Sequence, residues 1–570
     1  MKWISTATLL MALGVGLSGS RATAQQASDQ QGMDDVRARL EQQDRQIQQL
    51  QAQLAAFQPG TMATSAAYAP PEAGMATPAA PAGPPPCAVV GSDLSLKASL
   101  KDGLFLWFET PNKDFTMHLG GWMQYDNVFW GESPLLKSNA QGATAAGKPV
   151  YASAPAQDVM TGTAVGGFPL QDGTYFRRIR PFAEGTFWEF GEYRLILALE
   201  NNTLNTSGLD EFWVGATKIP VIGTCRVGHV KTPMGLEGDM TASSRCMTFM
   251  ERSSYSQAIE LDQNFVTGIW CSNNYLDQHA TLTYSVFRTD QTASTGAFFG
   301  TDQWGWQTRF TALPIYEDEG RHLLHMGVSG GWRSGAATGS ITGPYTQTLA
   351  SRAELRDDVP GTGATNADNN KFVSTGVIET NNDYLLGTEF LYIRGPLSFQ
   401  GEYGWNFCDN VIGANPGATF AATRTPPGNY VFSGGYLQVA YMLTGENRAY
   451  DRKYGTLARE YLGHAGPNSP AWFFRDENGC LVWTPGAWEV AARFSYTDLN
   501  SGSGTGKVQG GIEDGFTLAL NWYLNTNLTV MCDYVHNNRE SVPTITPVSA
   551  ATSAFPGHVD GFGARVQFQF

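Results

Sequence analysis

The chain has 570 residues, 52 of them acidic and 37 basic, for a net charge of −15, and its mean hydropathy is −0.24. Acidity on this scale disfavours nucleic acid as a partner, because holding a phosphate backbone takes clustered positive charge. Beyond the amino terminus no apolar run reaches the ~18 residues that a transmembrane helix needs, which leaves open a membrane crossing by strands that show lipid only every second residue.

Lys2, the short apolar run from Ala7 to Leu17 and the small residues Ala22-Thr23-Ala24 have the layout of a removable signal peptide over 1–24. Export follows, with the mature chain starting at Gln25. Within 25–57, Met33, Val36, Leu40, Gln43, Ile47, Leu50, Leu54 and Phe57 fall on the a and d positions of consecutive heptads. That spacing predicts a short coiled coil, in an exported chain a periplasmic one, with the polar Gln43 setting register. The other reading is a lone amphipathic helix lying on a surface, since an isolated helix of this size is marginal in water. From Gln58 onward the chain is rich in Ala and Pro, with Pro70-Pro71 and Pro84-Pro85-Pro86. The segment 58–100 is therefore expected to be an extended spacer, and 101–570 the main domain.

From Phe115 the apolar period becomes two, as in Leu437, Val439, Tyr441 and Leu443 or Phe516, Leu518, Leu520 and Trp522. Sixteen such strands are expected, near 114–129, 174–189, 191–202, 209–218, 222–231, 264–273, 279–288, 304–314, 321–333, 381–394, 396–407, 431–444, 486–498, 512–523, 527–537 and 560–570. Alternation over so many segments predicts an all-β, 16-stranded antiparallel transmembrane barrel. Links at one end are short and most links at the other are long, although 203–208 is short for the long side and 445–485 long for the short side. An additional apolar piece, Leu104 to Phe108, would spoil the even count as a spanning strand and is read as a hairpin arm. The chain closes on strict alternation, Val566, Phe568 and Phe570 against Arg565, Gln567 and Gln569. Phe570 resembles the aromatic terminus read by barrel-assembly machinery.

Tyr175-Phe176-Arg177-Arg178, the stretch Arg226 to Pro233, Met250-Glu251-Arg252-Ser253, Tyr441 to Glu446 with Arg448, and Gly486-Ala487-Trp488-Glu489 resemble, in this order, motifs of the phosphate-selective porin O and P family. The resemblance spans roughly 100–570 and implies a trimeric outer-membrane barrel. It also implies passive diffusion of small hydrophilic solutes, some of them anions such as phosphate, through a lumen narrowed by the third outer loop. Link lengths place that loop at 232–263. The resemblance assigns Arg177 and Arg178 to an arginine pair of the lumen. It also expects an arginine after the paired glycines of the first strand, where this chain has Trp122. Weak selectivity is the expected result.

Strand parity, read independently, turns Arg178, Arg180, Arg194, Lys231, Arg309, Arg333, Arg493 and Arg565 toward a wet interior, with Lys231 the foremost candidate for anion contact. The alternative for each arginine is a structural ion pair. The constriction loop holds Glu237, Asp239, Glu251, Glu260 and Asp262 against Arg245 and Arg252, a local charge of −3. Seven scattered cysteines, without a paired Cys-x-x-Cys motif, point to neither a metal nor a redox site. No hydrolase elbow, metalloprotease helix or phosphate loop occurs, so no catalytic residue or cofactor is expected. The expected partners are outer-membrane lipid, two further copies of the chain, solutes and, through the amino-terminal segment, peptidoglycan. The competing function is an outer-membrane-to-wall tether with an incidental pore.

Overall fold

The computed structural model describes residues 95–101, 105–133, 170, 172–200, 208–240, 245–260, 265–289, 303–334, 345–356, 371–375, 378–411, 428–462, 474–475, 480–482, 484–502, 508–540 and 556–570. The expected signal peptide and coiled coil, and nearly all of the expected spacer, lie outside these residues.

In chain order the first strands are β1 (Lys97–Lys101), β2 (Phe105–Glu109), β3 (Phe115–Glu132), β4 (Gly173–Phe187), β5 (Gly191–Leu197), β6 (Leu209–Ile219), β7 (Gly223–Lys231), β8 (Phe265–Tyr275) and β9 (Ala280–Arg288). Next come β10 (Trp304–Glu317), β11 (His322–Ser334), β12 (Tyr345–Gln347), β13 (Ala350–Ser351), β14 (Val373–Ser374), β15 (Ile378–Thr380), β16 (Asn382–Arg394), β17 (Leu397–Val411) and β18 (Gly428–Met442). The last are β19 (Arg448–Asp451), β20 (Thr456–Leu462), β21 (Phe474–Arg475), β22 (Leu481–Val482), β23 (Ala487–Ser501), β24 (Val508–Tyr523), β25 (Leu528–Arg539) and β26 (Gly557–Gln569).

The main sheet contains 18 strands. Two of them, β1 and β2, form a hairpin; the other sixteen, β3–β11, β16–β18 and β23–β26, pair antiparallel with their neighbours and close where β26 meets β3. Each of the sixteen overlaps one expected strand. The piece around Leu104 to Phe108 is the hairpin strand β2, as parity required, and β1 begins inside the stretch expected to be spacer. One expected strand is shortened: β5 stops at Leu197, where its register with β6 shifts between Ile196 and Leu197.

The barrel is apolar outside and polar inside. In β24, Phe516, Leu518 and Leu520 are exposed while Thr517, Ala519 and Asn521 are buried, and β18 likewise exposes Leu437 and Tyr441 but buries Tyr436 and Gln438. This inversion of a water-soluble protein suits a wall whose outer solvent is hydrocarbon and whose backbone groups are all paired within the ring. At the short-link end Trp488 and Trp522 stack at 5.1 Å, and both indoles donate to the carbonyl of Pro485. An amphipathic ring with its polar edge satisfied suits the boundary between lipid and water.

At the seam, Phe570 exchanges backbone hydrogen bonds with Gly121, at 2.8 and 3.0 Å. A side chain at Gly120 would bring its Cβ within 2.4 Å of the Phe570 carbonyl oxygen, and one at Gly121 within 2.9 Å of the Phe570 ring. The paired glycines therefore make room for the carboxy terminus. Beyond it β2 takes over the same edge of β3, with Leu106 opposite Leu119 and Glu109 opposite Thr116. A disulfide joins Cys225 and Cys271 across the β7–β8 ladder.

Candidate functional site

Strand β4 carries a β-bulge. Its register with β3 pairs Arg178 with Gln124 and Phe176 with Tyr125, which leaves Arg177 as the additional residue. A bulge turns two consecutive side chains to one face, so both arginines point inward and both are buried. Arg177 donates to Glu251 at 2.6 and 3.0 Å, and Arg178 donates to the side-chain oxygen of Gln124 at 2.7 Å.

Glu251 belongs to the link between β7 and β8, whose residues 232–238 and 246–260 are buried almost throughout. Two π-helical turns, Gly235–Met240 and Ser256–Glu260, shape it. Gly235 sits at φ +65°, and a Cβ there would come within 2.0 Å of a Glu260 carboxylate oxygen. The link is tied to the wall in succession. The Leu236 and Glu237 amides donate to Glu402 on β17. The Glu237 carboxylate accepts from Ser253, Ser256 and, at 3.0 Å, from Arg493 on β23. Asn521 on β24 donates to the Thr248 carbonyl, and the Met250 amide donates to Asp533 on β25, both at 2.7 Å. Arg565 on β26 donates to Glu251 at 3.0 Å and also to Asp126 at 2.7 Å. Apolar packing reinforces these ties: Met234, Tyr255 and Ile259 join Leu385, Phe432 and Tyr436, and Phe249 joins Ala440, Ala491 and Ala519. Burial opposes charge on Glu251, but Arg177, then Arg178 and Arg565, outweigh it and hold the carboxyl well below its usual range. The Tyr255 hydroxyl is pushed well above its usual value by burial and by the nearby Glu260, Glu402 and Glu389.

Two further links enter the ring. From the one between β11 and β16, Glu354 accepts from Arg493 at 2.8 Å and from the Ser254 amide at 3.0 Å. From the one after β18, the β19–β20 hairpin folds against β7–β11. Its Tyr454 hydroxyl is hydrogen-bonded to Arg226 at 2.7 Å. Its Gly455 carbonyl accepts from Arg309 at 2.7 Å, and its Tyr450 hydroxyl is hydrogen-bonded to His325 at 2.7 Å. Leu457 of the hairpin and Leu236 of the β7–β8 link share one apolar cluster with Leu313, Leu323, Leu391 and Ile393. The infolded hairpin takes up residues 448–462 of the 445–485 link, which is anomalously long for a turn on the short-link side.

Among the arginines expected on the wet face, Arg180 pairs with Glu200 and Asp210, both at 2.7 Å. Arg194 pairs with Glu184 at 2.6 Å and Glu211 at 3.3 Å. Arg309 pairs with Glu389, and Arg333 with Asp383. Lys231 ends β7 at the parity of exposed Val227, with its ammonium 5.7 Å from the Phe265 ring. Val227 and Val230 lie on opposite faces of β7, so alternation alone left the parity of that strand open. Of the constriction residues, Arg252 donates to the Glu237 carbonyl at 2.8 Å. Arg245 lies 4.7 Å over Trp122 and 5.4 Å from Phe182; the Asp239 side chain is outside the described residues. Sequence reading missed Asp126, Glu354, Tyr454 and Arg226. Arg226 faces inward on β7, where alternation left the parity open; it pairs with Glu192 at 2.7 Å and stacks on Trp213 and Trp270 at 4.1 and 4.5 Å.

A protein of Caulobacter vibrioides with no assigned function is 24% identical over 406 residues, covering 69% of this chain and 68% of that one. Porin O of Pseudomonas aeruginosa is 22% identical over 416 residues, covering 70% and 82%. Among solved structures, an anion-selective porin from Comamonas acidovorans aligns at a TM-score of 0.41 with 10% identity, over 80% of this chain and 100% of its own. The outer membrane channel DcaP of Acinetobacter baumannii aligns at 0.40 with 9% identity, over 80% and 97%. The family pattern described as "Phosphate-selective porin O and P" matches residues 165–570. With a closed sixteen-stranded barrel, an apolar outer face and an infolded loop already in place, that match over most of the chain makes it a member of the phosphate-selective porin O and P family, an outer-membrane porin.

Proposed function

We propose that this porin is a diffusion channel for small hydrophilic solutes with only weak charge preference, and that it works as a homotrimer. The observation that carries the weak preference is the pairing of the wall: Arg177, Arg180, Arg194, Arg309, Arg333, Arg493 and Arg565 each carry a carboxylate within 3.0 Å. An arginine so paired contributes little net field to a passing anion. Trp122, where the family expects an arginine, presents an indole that holds Arg245 of the loop. A modest preference for anions such as phosphate then depends on Arg178, which has Gln124 in place of a carboxylate partner among the described residues.

The barrel sits in outer-membrane lipid with its short links facing the periplasm. The amino-terminal segment would follow there, 33–57 joining three chains as a coiled coil or resting on peptidoglycan. Single-channel recording with ion-reversal potentials tests the channel reading. Ohmic conductance with a potassium-to-chloride permeability ratio near unity is expected, whereas a purified barrel that conducts no ions, or one that passes phosphate almost exclusively, would refute it.

A further inference from the structure

The inner wall is unevenly wet. The side chains of Arg309, Arg333, Arg493 and Arg565 are at most 1% exposed, as are their partners Glu389, Asp383, Glu354 and Asp126. Arg180, Arg194 and Arg226 instead keep 15–17% of their side-chain surface, with Glu184 also at 17% and Asp210 at 11%. Apart from Glu354 itself, the sealed positions lie on β3, β10, β11, β16, β23 and β26, which are covered by the β7–β8 link, the Glu354 segment and the β19–β20 hairpin. The open ones all lie on β4–β7.

We infer that solutes cross through an off-centre passage against β4–β7, lined by Arg180, Arg194 and Arg226 with Glu184 and Asp210, and that Arg309, Arg333, Arg493 and Arg565 are struts holding the infolded segments. The assignment rests on the channel function proposed above. Along this passage positive and negative groups alternate: Arg194 sits between Glu184 and Glu211, and Arg180 between Glu200 and Asp210. Such a surface presents strong local dipoles with a small net field, which suits zwitterionic and polyhydroxylated solutes better than simple anions. Removing one lining charge bares its partners directly to the path. Removing one strut charge bares its partner only to packed protein.

The test is the permeability ratio of potassium to chloride, read from reversal potentials between about 1 M and 3 M KCl, where the screening length is ~3 Å or less and only charges touching the path act. Arg194→Gln, which leaves Glu184 and Glu211 facing the passage, should raise the ratio about threefold, and Glu184→Gln should lower it by a similar factor. Arg194→Lys should return the parental ratio. Asp383→Asn, which strips Arg333 of its carboxylate, should leave the ratio unchanged while lowering heat stability. Should Arg194→Gln fail to assemble, Glu184→Gln decides by itself. Conducting channels in which both lining variants keep the parental ratio, or in which Asp383→Asn shifts it as far as they do, would overturn the off-centre passage. Absence of conductance in the parent protein would instead overturn the channel function.

Discussion

Replacing Arg493 by methionine retains the length of the side chain but removes the cation that binds the β7–β8 link to the wall. Arg493 is fully buried, bridges Glu237 at 3.0 Å and Glu354 at 2.8 Å, and lies 4.3 Å from the Phe249 ring. Its loss leaves two carboxylates in a dry interior. Breaking a buried ion pair by removing one partner costs about 3–5 kcal/mol, and loss of the contact with the ring adds ~1 kcal/mol. Glu237 retains hydrogen bonds from Ser253 and Ser256, so the total is expected near the lower end of the sum, about 4 kcal/mol. Reversible urea unfolding in detergent, followed by the loss of the folded band on unheated gels, measures it. Adding Glu354→Leu removes the second buried charge and should restore about 1–3 kcal/mol, the coupling expected of groups in one network. A single variant as stable as the parent, or a double variant no better than the single, would show that the ion pairs do not hold the link.

Three other outcomes are expected. Because the folded state holds the Glu251 carboxyl below its unfolded value, its stabilisation is complete above about pH 4.3 and is lost as pH falls further through the folded value; Glu251→Gln should accordingly be less stable than the parent at neutral pH, and the gap should narrow in acid, as pH-dependent heat-unfolding curves would reveal. Deleting Phe570 removes the two backbone bonds to Gly121 and should lower the amount of folded barrel in outer-membrane fractions severalfold; normal surface levels would argue against an assembly role. Deleting 25–86 should leave single-channel conductance intact while weakening trimers toward detergent or reducing co-purification with peptidoglycan, and no change in either would strip the heptad segment of function.

The barrel was legible because a strand between lipid and lumen must alternate, and alternation survives in a single sequence. What lies inside it was not. The infolded links have no period, and their role shows only in composition: Met234, Leu236, Phe249, Met250, Tyr255 and Ile259 are far more apolar than a solvated loop between strands would be, and all six are buried. The bulge at Arg177 breaks the parity rule at the position where two adjacent arginines share a face, so alternation could turn only one of them inward and the family motif supplied the other. The partners of the arginines were hidden for another reason. Arg493 meets Glu354 and Arg565 meets Asp126 across 139 and 439 residues of sequence, distances at which charge pattern along the chain says nothing about pairing.

The hairpin on the edge of β3 acts as a stop. β26 occupies that edge from Glu132 to Trp122, Phe570 takes Gly121, and Leu119 is already claimed by Leu106. A carboxy-terminal strand sliding two residues farther would run into β2, and one sliding back would abandon the gap made by Gly120 and Gly121. The shear of the closed ring is thus gauged at both its margins by the chain's own flanking residues, so a barrel that closes at all closes with the bulged arginine, Asp126 and Arg565 at the same height. Correct alignment of the interior charges is then a by-product of the seam's register, and the charges themselves need not select it.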